Sequence, residues 1–179
     1  MRRLSRILAA KGRHHHHLLD DLLGELGLDE TAHLGTLLGI FRNVRPGLPL
    51  FPGAGELLRD LGKVYRLGLI TSGMRAVQEN KLRLLGIADA FEHVVYSSTL
   101  PENKPGQLPF RRLLEAMDVV PARAVYIGDN PLFDFKGANE VGMLTIRVHN
   151  PEFDGLALGP GCDARLRVGQ VAELRAMFL

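Results

Sequence analysis

The chain has 179 residues, enough for one hydrophobic core or one core with a small appended module. It is 46% hydrophobic and 23% charged with a net charge of +2, too small a positive excess to point to nucleic acid. One cysteine, Cys162, excludes an internal disulfide framework and fits a reducing cytosol, and no apolar run approaches the ~18 residues of a membrane span.

The first 17 residues, MRRLSRILAAKGRHHHH, are basic, with no acid before Asp20. A transit peptide has such a composition. The spacing of Leu4, Ile7, Leu8 and Ala9 instead predicts a short amphipathic helix, and helical patterning continues without a cleavage-like break. Four successive histidines, His14 to His17, point around a helix, so only His14 and His17 are spaced to share an ion. Structural metal sites want three or four converging ligands, so a polar helix start is the simpler reading. Leu18, Leu19, Leu22, Leu23 and Leu26 form a helical stripe ended by Gly27, and Leu34, Leu37, Leu38 and Phe41 form a second. The segment RPGLPLFPGAG over 45–55 has the composition of a linker or hinge.

Beyond it the rhythm changes. Helices are expected at 55–62, 74–85, 107–117, 134–141 and 170–178, alternating with strands at 65–72, 93–98, 124–129 and 144–148. Short apolar strands separated by helices predict an α/β fold, a parallel sheet covered on both faces. Such sheets bind ligands outside the C-terminal ends of their strands.

The residues at those ends are therefore the candidates. Thr71, Ser72 and Gly73 follow the first strand and offer hydroxyls and turn N–H groups to an oxyanion, although Thr-Ser-Gly is also ordinary turn chemistry. Lys104 follows the second strand, where it would neutralise a phosphate or simply be solvated. Asp129 and Asp134 follow the third in VYIGDNPLFD; acidic oxygens suit Mg²⁺, while a helix cap and a turn residue are the plainer alternatives. A hydroxyl, a cation and two carboxylates, each after its own strand, make the set that phosphoryl transfer needs. Cys162 has no nearby histidine or second cysteine, which argues against a nucleophile.

From about Phe51 to Val148 the sequence resembles the haloacid dehalogenase-like (HAD) superfamily of phosphohydrolases. FPGAGELLRDL resembles the return from the cap domain into the core, LGLITSG the second motif, NKPGQLPF the third and VYIGDNPLFD the fourth. Gln107 stands where the third motif commonly has a second proline. The resemblance implies a Rossmann-like core over 46–179 and a partial helical cap over 1–45. It implies catalytic roles for Thr71, Lys104 and Asp129, phosphate contacts from Thr71, Ser72, Gly73 and Lys104, and a metal site at Asp129 and Asp134. It also implies a small phosphorylated metabolite as substrate, hydrolysed with Mg²⁺ through an aspartyl-phosphate in the intact family, and a cytoplasmic setting is expected.

One departure is large. The family's first motif, an Asp-x-Asp at the end of the first strand, has no match; Asp20-Asp21 lies in a helical pattern with the wrong spacing. The chain is therefore expected to begin inside the cap, to bind Mg²⁺ weakly, to be impaired in catalysis and to leave two sheet edges open. The alternatives are a non-catalytic protein that binds a phosphate ligand on the same scaffold, and an interaction module that forms oligomers through those edges.

Overall fold

The computed structural model describes residues 2–11, 17–43, 47 and 49–179. The chain divides into two compact units, Met1–Pro46 and Gly47–Leu179.

In the first unit three helices are described: α1 (Arg2–Lys11), α2 (Leu18–Leu26) and α3 (Glu30–Asn43). Ile7 of α1 and Leu23 of α2 are buried, as the leucine stripe requires. Arg6 pairs with Glu25 at 3.0 Å and Lys11 with Asp21 at 2.7 Å, so the basic face of α1 meets the acidic face of α2. α2 ends at Gly27, with the Leu28 N–H donating to the Leu23 carbonyl. Asp29 caps α3 by accepting from the Ala32 N–H at 3.0 Å. Of the histidine run, His14 to His16 lie outside the described residues; His17 is exposed and hydrogen-bonds Asp20 at 3.1 Å.

The second unit alternates helix and strand: α4 (Ala54–Leu61), β1 (Gly68–Thr71), α5 (Arg75–Leu84), β2 (His93–Tyr96), α6 (Leu108–Ala116), β3 (Val125–Gly128), α7 (Lys136–Val141), β4 (Leu144–Val148), β5 (Leu166–Val168) and α8 (Leu174–Phe178). All pairings are parallel: β1 with β2, β3 with β4 and β4 with β5. The four expected strands are present; β1, β2 and β3 are shorter than their apolar runs, and β4 has the expected bounds. β5 was not foreseen, because three residues are too few to show a pattern and its pairing with β4 is what makes them a strand.

Two layers of side chains cover the strands. On one face Ile70, Phe110, Leu113, Leu114, Met117, Ala138 and Met143 pack together, with Val95 and Tyr126 against them. On the other, Leu57, Leu61, Ile146, Val168 and Leu174 do the same, with Ile127. Tyr126 and Ile127, adjacent in β3, serve opposite layers, as strand alternation dictates. This is the expected Rossmann-like α/β core with helices on both faces.

The strands form two hydrogen-bonded ladders, β1-β2 and β3-β4-β5. Ile70 of β1 and Tyr126 of β3 share the layer beneath α6, yet among the described residues no strand pairs with the second edge of β1 or of β3. Among the described residues, no helix is long and apolar enough to cross a membrane.

Candidate active site

The turn after β3 is built by Asn130. Its carbonyl accepts from the Phe133 and Asp134 N–H groups at 3.2 and 2.9 Å, and its side chain accepts from the Leu132 N–H at 3.0 Å. The turn brings Asp134 back against the end of the strand. A Cβ at Gly128 would stand 2.6 Å from Asp134 Oδ2, so this position has no room for a side chain.

Asp134 is buried and both of its oxygens are occupied. Oδ1 accepts from Lys104 Nζ at 2.6 Å and from the Tyr126 hydroxyl at 3.2 Å. Oδ2 accepts from the N–H groups of Asp129 and Asn130 at 3.2 and 2.9 Å. The Lys104–Asp134 pair has side-chain exposures of only 9% and 6%, so it is a desolvated ion pair with its lone pairs satisfied. Lys104 also donates to the Tyr126 hydroxyl at 3.3 Å, which uses two of its three N–H donors. Burial pushes the Tyr126 phenol well above its ordinary value, and the Asp134 charge adds to the effect. Tyr126 is thus a neutral donor between the lysine and the carboxylate.

Asp129 is the exposed member of the pair. Its Oδ2 accepts from Asn150 Nδ2 at 2.7 Å, while Oδ1 has no partner among the described residues. Asn150 belongs to the segment after β4 and is itself held by the Glu152 N–H at 3.0 Å.

The loop that carries Lys104 is fastened at both ends. Asn103 Oδ1 accepts from the Lys104 N–H at 2.7 Å and from the Ser97 hydroxyl at 2.5 Å. With its proton committed to Asn103, the buried Ser97 accepts from Ser72 Oγ at 2.9 Å. The carbonyls of Pro105 and Gly106 lie over Gly137 in the first turn of α7, where a Cβ would come within 2.6 Å of Pro105 O. Thr71 is half-buried and donates to Gln78 Oε1 at 3.2 Å; Gly73 follows at φ +100°, and its carbonyl accepts from the Ser98 hydroxyl.

A continuous path therefore runs from Ser72 through Ser97, Asn103 and Lys104 to Asp134 and the backbone of Asp129. The residues expected after the second and third strands meet directly; Thr71, Ser72 and Gly73 join them through Ser97 and Asn103. Sequence reasoning did not single out Ser97, Asn103, Tyr126, Asn130 or Asn150. The signal for Asn103 was its place beside Lys104. Tyr126 was read only as an apolar strand residue, and nothing in the sequence indicated Asn150, which reaches Asp129 across 21 positions.

The two carboxylates were expected to share a cation. Asp134 accepts four hydrogen bonds on its two oxygens, from Lys104, Tyr126 and the turn N–H groups of Asp129 and Asn130. Asp129 offers one free oxygen. Among the described residues no group of three or more metal-ligating side chains converges. These donors fit a weakly held, largely hydrated Mg²⁺ at Asp129 and do not form a cage.

A family model described as haloacid dehalogenase-like hydrolase matches residues 14–148. The chain is 30% identical over 161 residues to a glyceraldehyde 3-phosphate phosphatase of Methanopyrus kandleri, covering 87% of this chain and 68% of that protein. It is 34% identical over 143 residues to a phosphoserine phosphatase of Thermus thermophilus, covering 78% of this chain and 54% of the relative. Among solved structures, a 2-haloacid dehalogenase from Pseudomonas syringae pv. Tomato superposes with a TM-score of 0.69 at 27% identity, over 97% of this chain and 76% of that one. The chain thus spans roughly half to two thirds of the length of these curated relatives.

Proposed function

Because the chain belongs to the haloacid dehalogenase-like hydrolase family, we propose that it forms the phosphate-binding and charge-neutralising part of a phosphatase for a small phosphomonoester. The observation that carries this reading is the buried Lys104–Asp134 pair at the C-terminal end of β3, tied to the Thr71–Gly73 turn. The names of the relatives, phosphatases of three-carbon phosphorylated metabolites in two of the cases above, support the substrate class.

Each residue has a role in that reading. The Thr71 hydroxyl, on turning from Gln78, and the N–H groups of Ser72 and Gly73 hold phosphate oxygens. Lys104 uses its third donor to neutralise phosphate charge. Asp134 aims Lys104 and fixes the turn, making it a positioning residue. Asp129, through its free oxygen, holds a hydrated Mg²⁺, which when bound adds positive charge at the phosphate. Tyr126, kept neutral, accepts from Lys104 and donates to Asp134, which holds the two partners together.

The 179 residues contain no Asp-x-Asp, the pattern from which the family's attacking carboxylate and its acid–base partner come. We propose that this strand seats between the open edges of β1 and β3, where backbone donors and acceptors have no strand partner. Residues 1–45 are proposed as part of a helical cap, and the setting as cytoplasmic.

The test is hydrolysis of an aryl phosphate by the chain extended at its N-terminus with an apolar strand ending in Asp-x-Asp and the front of a cap. Mg²⁺-dependent turnover that falls on Asp129→Ala and on Lys104→Ala supports the reading. Turnover that is indifferent to both substitutions contradicts it.

A further inference from the structure

A polar cleft lies at the C-terminal ends of β4 and β5. It has a volume of about 200 Å³ and is lined by Arg147, His149, Phe153, Asp154, Arg167 and neighbouring residues of 155–158. That is below the ~300–1,000 Å³ of drug-sized ligand sites, so its natural occupant is small.

The arrangement of charge in it is unusual. Arg147 of β4 and Arg167 of β5 are direct register partners on parallel strands. Neighbouring strands are ~4.8 Å apart, so two guanidinium side chains leave the same face of the sheet side by side. Like charges directly opposite one another destabilise a sheet. The opposite face of both strands is apolar, formed by Ile146 and Val168.

Arg167 has a local counter-charge in Asp163, an exposed pair. Arg147 has none. It is 8% exposed, and its one hydrogen bond is to the Phe153 carbonyl at 3.4 Å, the long limit of such a bond. Among the described residues no carboxylate pairs with its guanidinium. The acid in the cleft, Asp154, is committed to His149 at 3.0 Å. A guanidinium has five donors; among the described residues no buried side-chain nitrogen is left without a partner, so the donors of Arg147 that Phe153 does not take open onto the cleft.

We propose that this cleft is a second oxyanion-binding site, in which a phosphate-sized anion bridges Arg147 and Arg167. Guanidinium forks match tetrahedral and planar oxyanions through paired, charge-assisted hydrogen bonds. The anion separates the two like charges and supplies Arg147 with the partner it lacks. The site is next to the active-site residues in the chain without sharing any with them: His149 lines the cleft, and the following residue, Asn150, holds Asp129. Neither the phosphatase reading nor its failure bears on this cleft, which stands on its own geometry.

The experiment follows arginine Nε–Hε resonances in the 179-residue chain during titration with inorganic phosphate, then with glycerol 3-phosphate. Saturable shifts of Arg147 and Arg167 are expected with phosphate. Equal or larger shifts with the ester identify a phosphorylated metabolite as the occupant, and shifts with phosphate alone identify the free ion. Arg167→Gln, on an exposed edge residue, should weaken binding by roughly tenfold or more, as loss of a charge-assisted bond implies. Lys104→Met should leave the shifts unchanged. The proposal is overturned if neither anion moves either arginine, if Arg167→Gln binds as the unaltered chain does, or if the shifts vanish with Lys104→Met.

Discussion

Replacing Asp134 with alanine leaves the Lys104 ammonium buried without its anion, and it simultaneously deprives the Asp129 N–H, the Asn130 N–H and the Tyr126 hydroxyl of their acceptor. Removing one member of a buried ion pair typically costs ~3–5 kcal/mol, because the remaining charge is uncompensated. Lys104→Met is a different case. Asp134 keeps three of its four donors, so the loss should be nearer the ~1.5–3 kcal/mol of a charged hydrogen bond. The pair is thus asymmetric: the carboxylate is better supported than the ammonium. All three tyrosines, Tyr65, Tyr96 and Tyr126, lie in the second unit and there is no tryptophan, so tyrosine fluorescence in urea reports this unit alone. At a slope of ~2 kcal/mol/M, Asp134→Ala should lower the midpoint by roughly 1.5–2.5 M and Lys104→Met by clearly less. The double variant should be more stable than Asp134→Ala alone. If Lys104→Met is as damaging as Asp134→Ala, the four-donor account of Asp134 is wrong.

Tyr126→Phe removes a donor to Asp134 and should cost ~0.5–1.5 kcal/mol in the same urea series. Because the folded state raises the Tyr126 pKa, its contribution is present below pH 10 and is lost as pH rises towards the folded value; absorbance titration should show this tyrosine ionising late. Gly137→Ala puts a Cβ against the Pro105 and Gly106 carbonyls, so it should lower the melting temperature and shift the Lys104 resonances, whereas an unchanged spectrum would deny the close approach. Glu92 is held below its ordinary value of 4.5, first by hydrogen bonds from Arg66, and Asp60 below 3.8, first by Lys63 and then Arg175. Depressed folded values give stability that is present above the unfolded pKa and lost as pH falls through the folded one. The stability difference between the unaltered chain and Arg66→Gln should therefore shrink on acidification below pH 4.5, and a difference that stays constant would count against the pairing.

How much of this was legible in the sequence depended on range. The strands β1 to β4 and their helices were readable because apolar periodicity is local, and Gly27 and the 45–55 hinge were readable because glycine and proline act where they stand. Lys104, Asp129 and Asp134 could be picked out as a set because each follows a strand. Their division of labour could not. That Asp134 is saturated while Asp129 keeps one open oxygen follows from the local Asn130 turn, from a Tyr126 hydroxyl hidden within an apolar strand, and from the reach of Asn150 across 21 positions. β5 was invisible for the same reason, since its three residues become a strand only against β4. The Arg147–Arg167 pair depends on that register and had no sequence signal.

The most direct measurement is the turnover of residues 1–179 on an aryl phosphate, before and after an N-terminal strand ending in Asp-x-Asp is supplied. Phosphomonoester hydrolysis is among the slowest uncatalysed reactions, so positioning residues without an attacking carboxylate should leave the unextended chain near background. Asp20 and Asp21 sit in α2, where Asp20 is hydrogen-bonded to His17 and Asp21 is paired with Lys11, and they are not expected to contribute. The account predicts background turnover for the unextended chain and Mg²⁺-dependent activity for the extended one. Robust turnover by residues 1–179 alone, abolished by Asp20→Ala or Asp21→Ala, would contradict it.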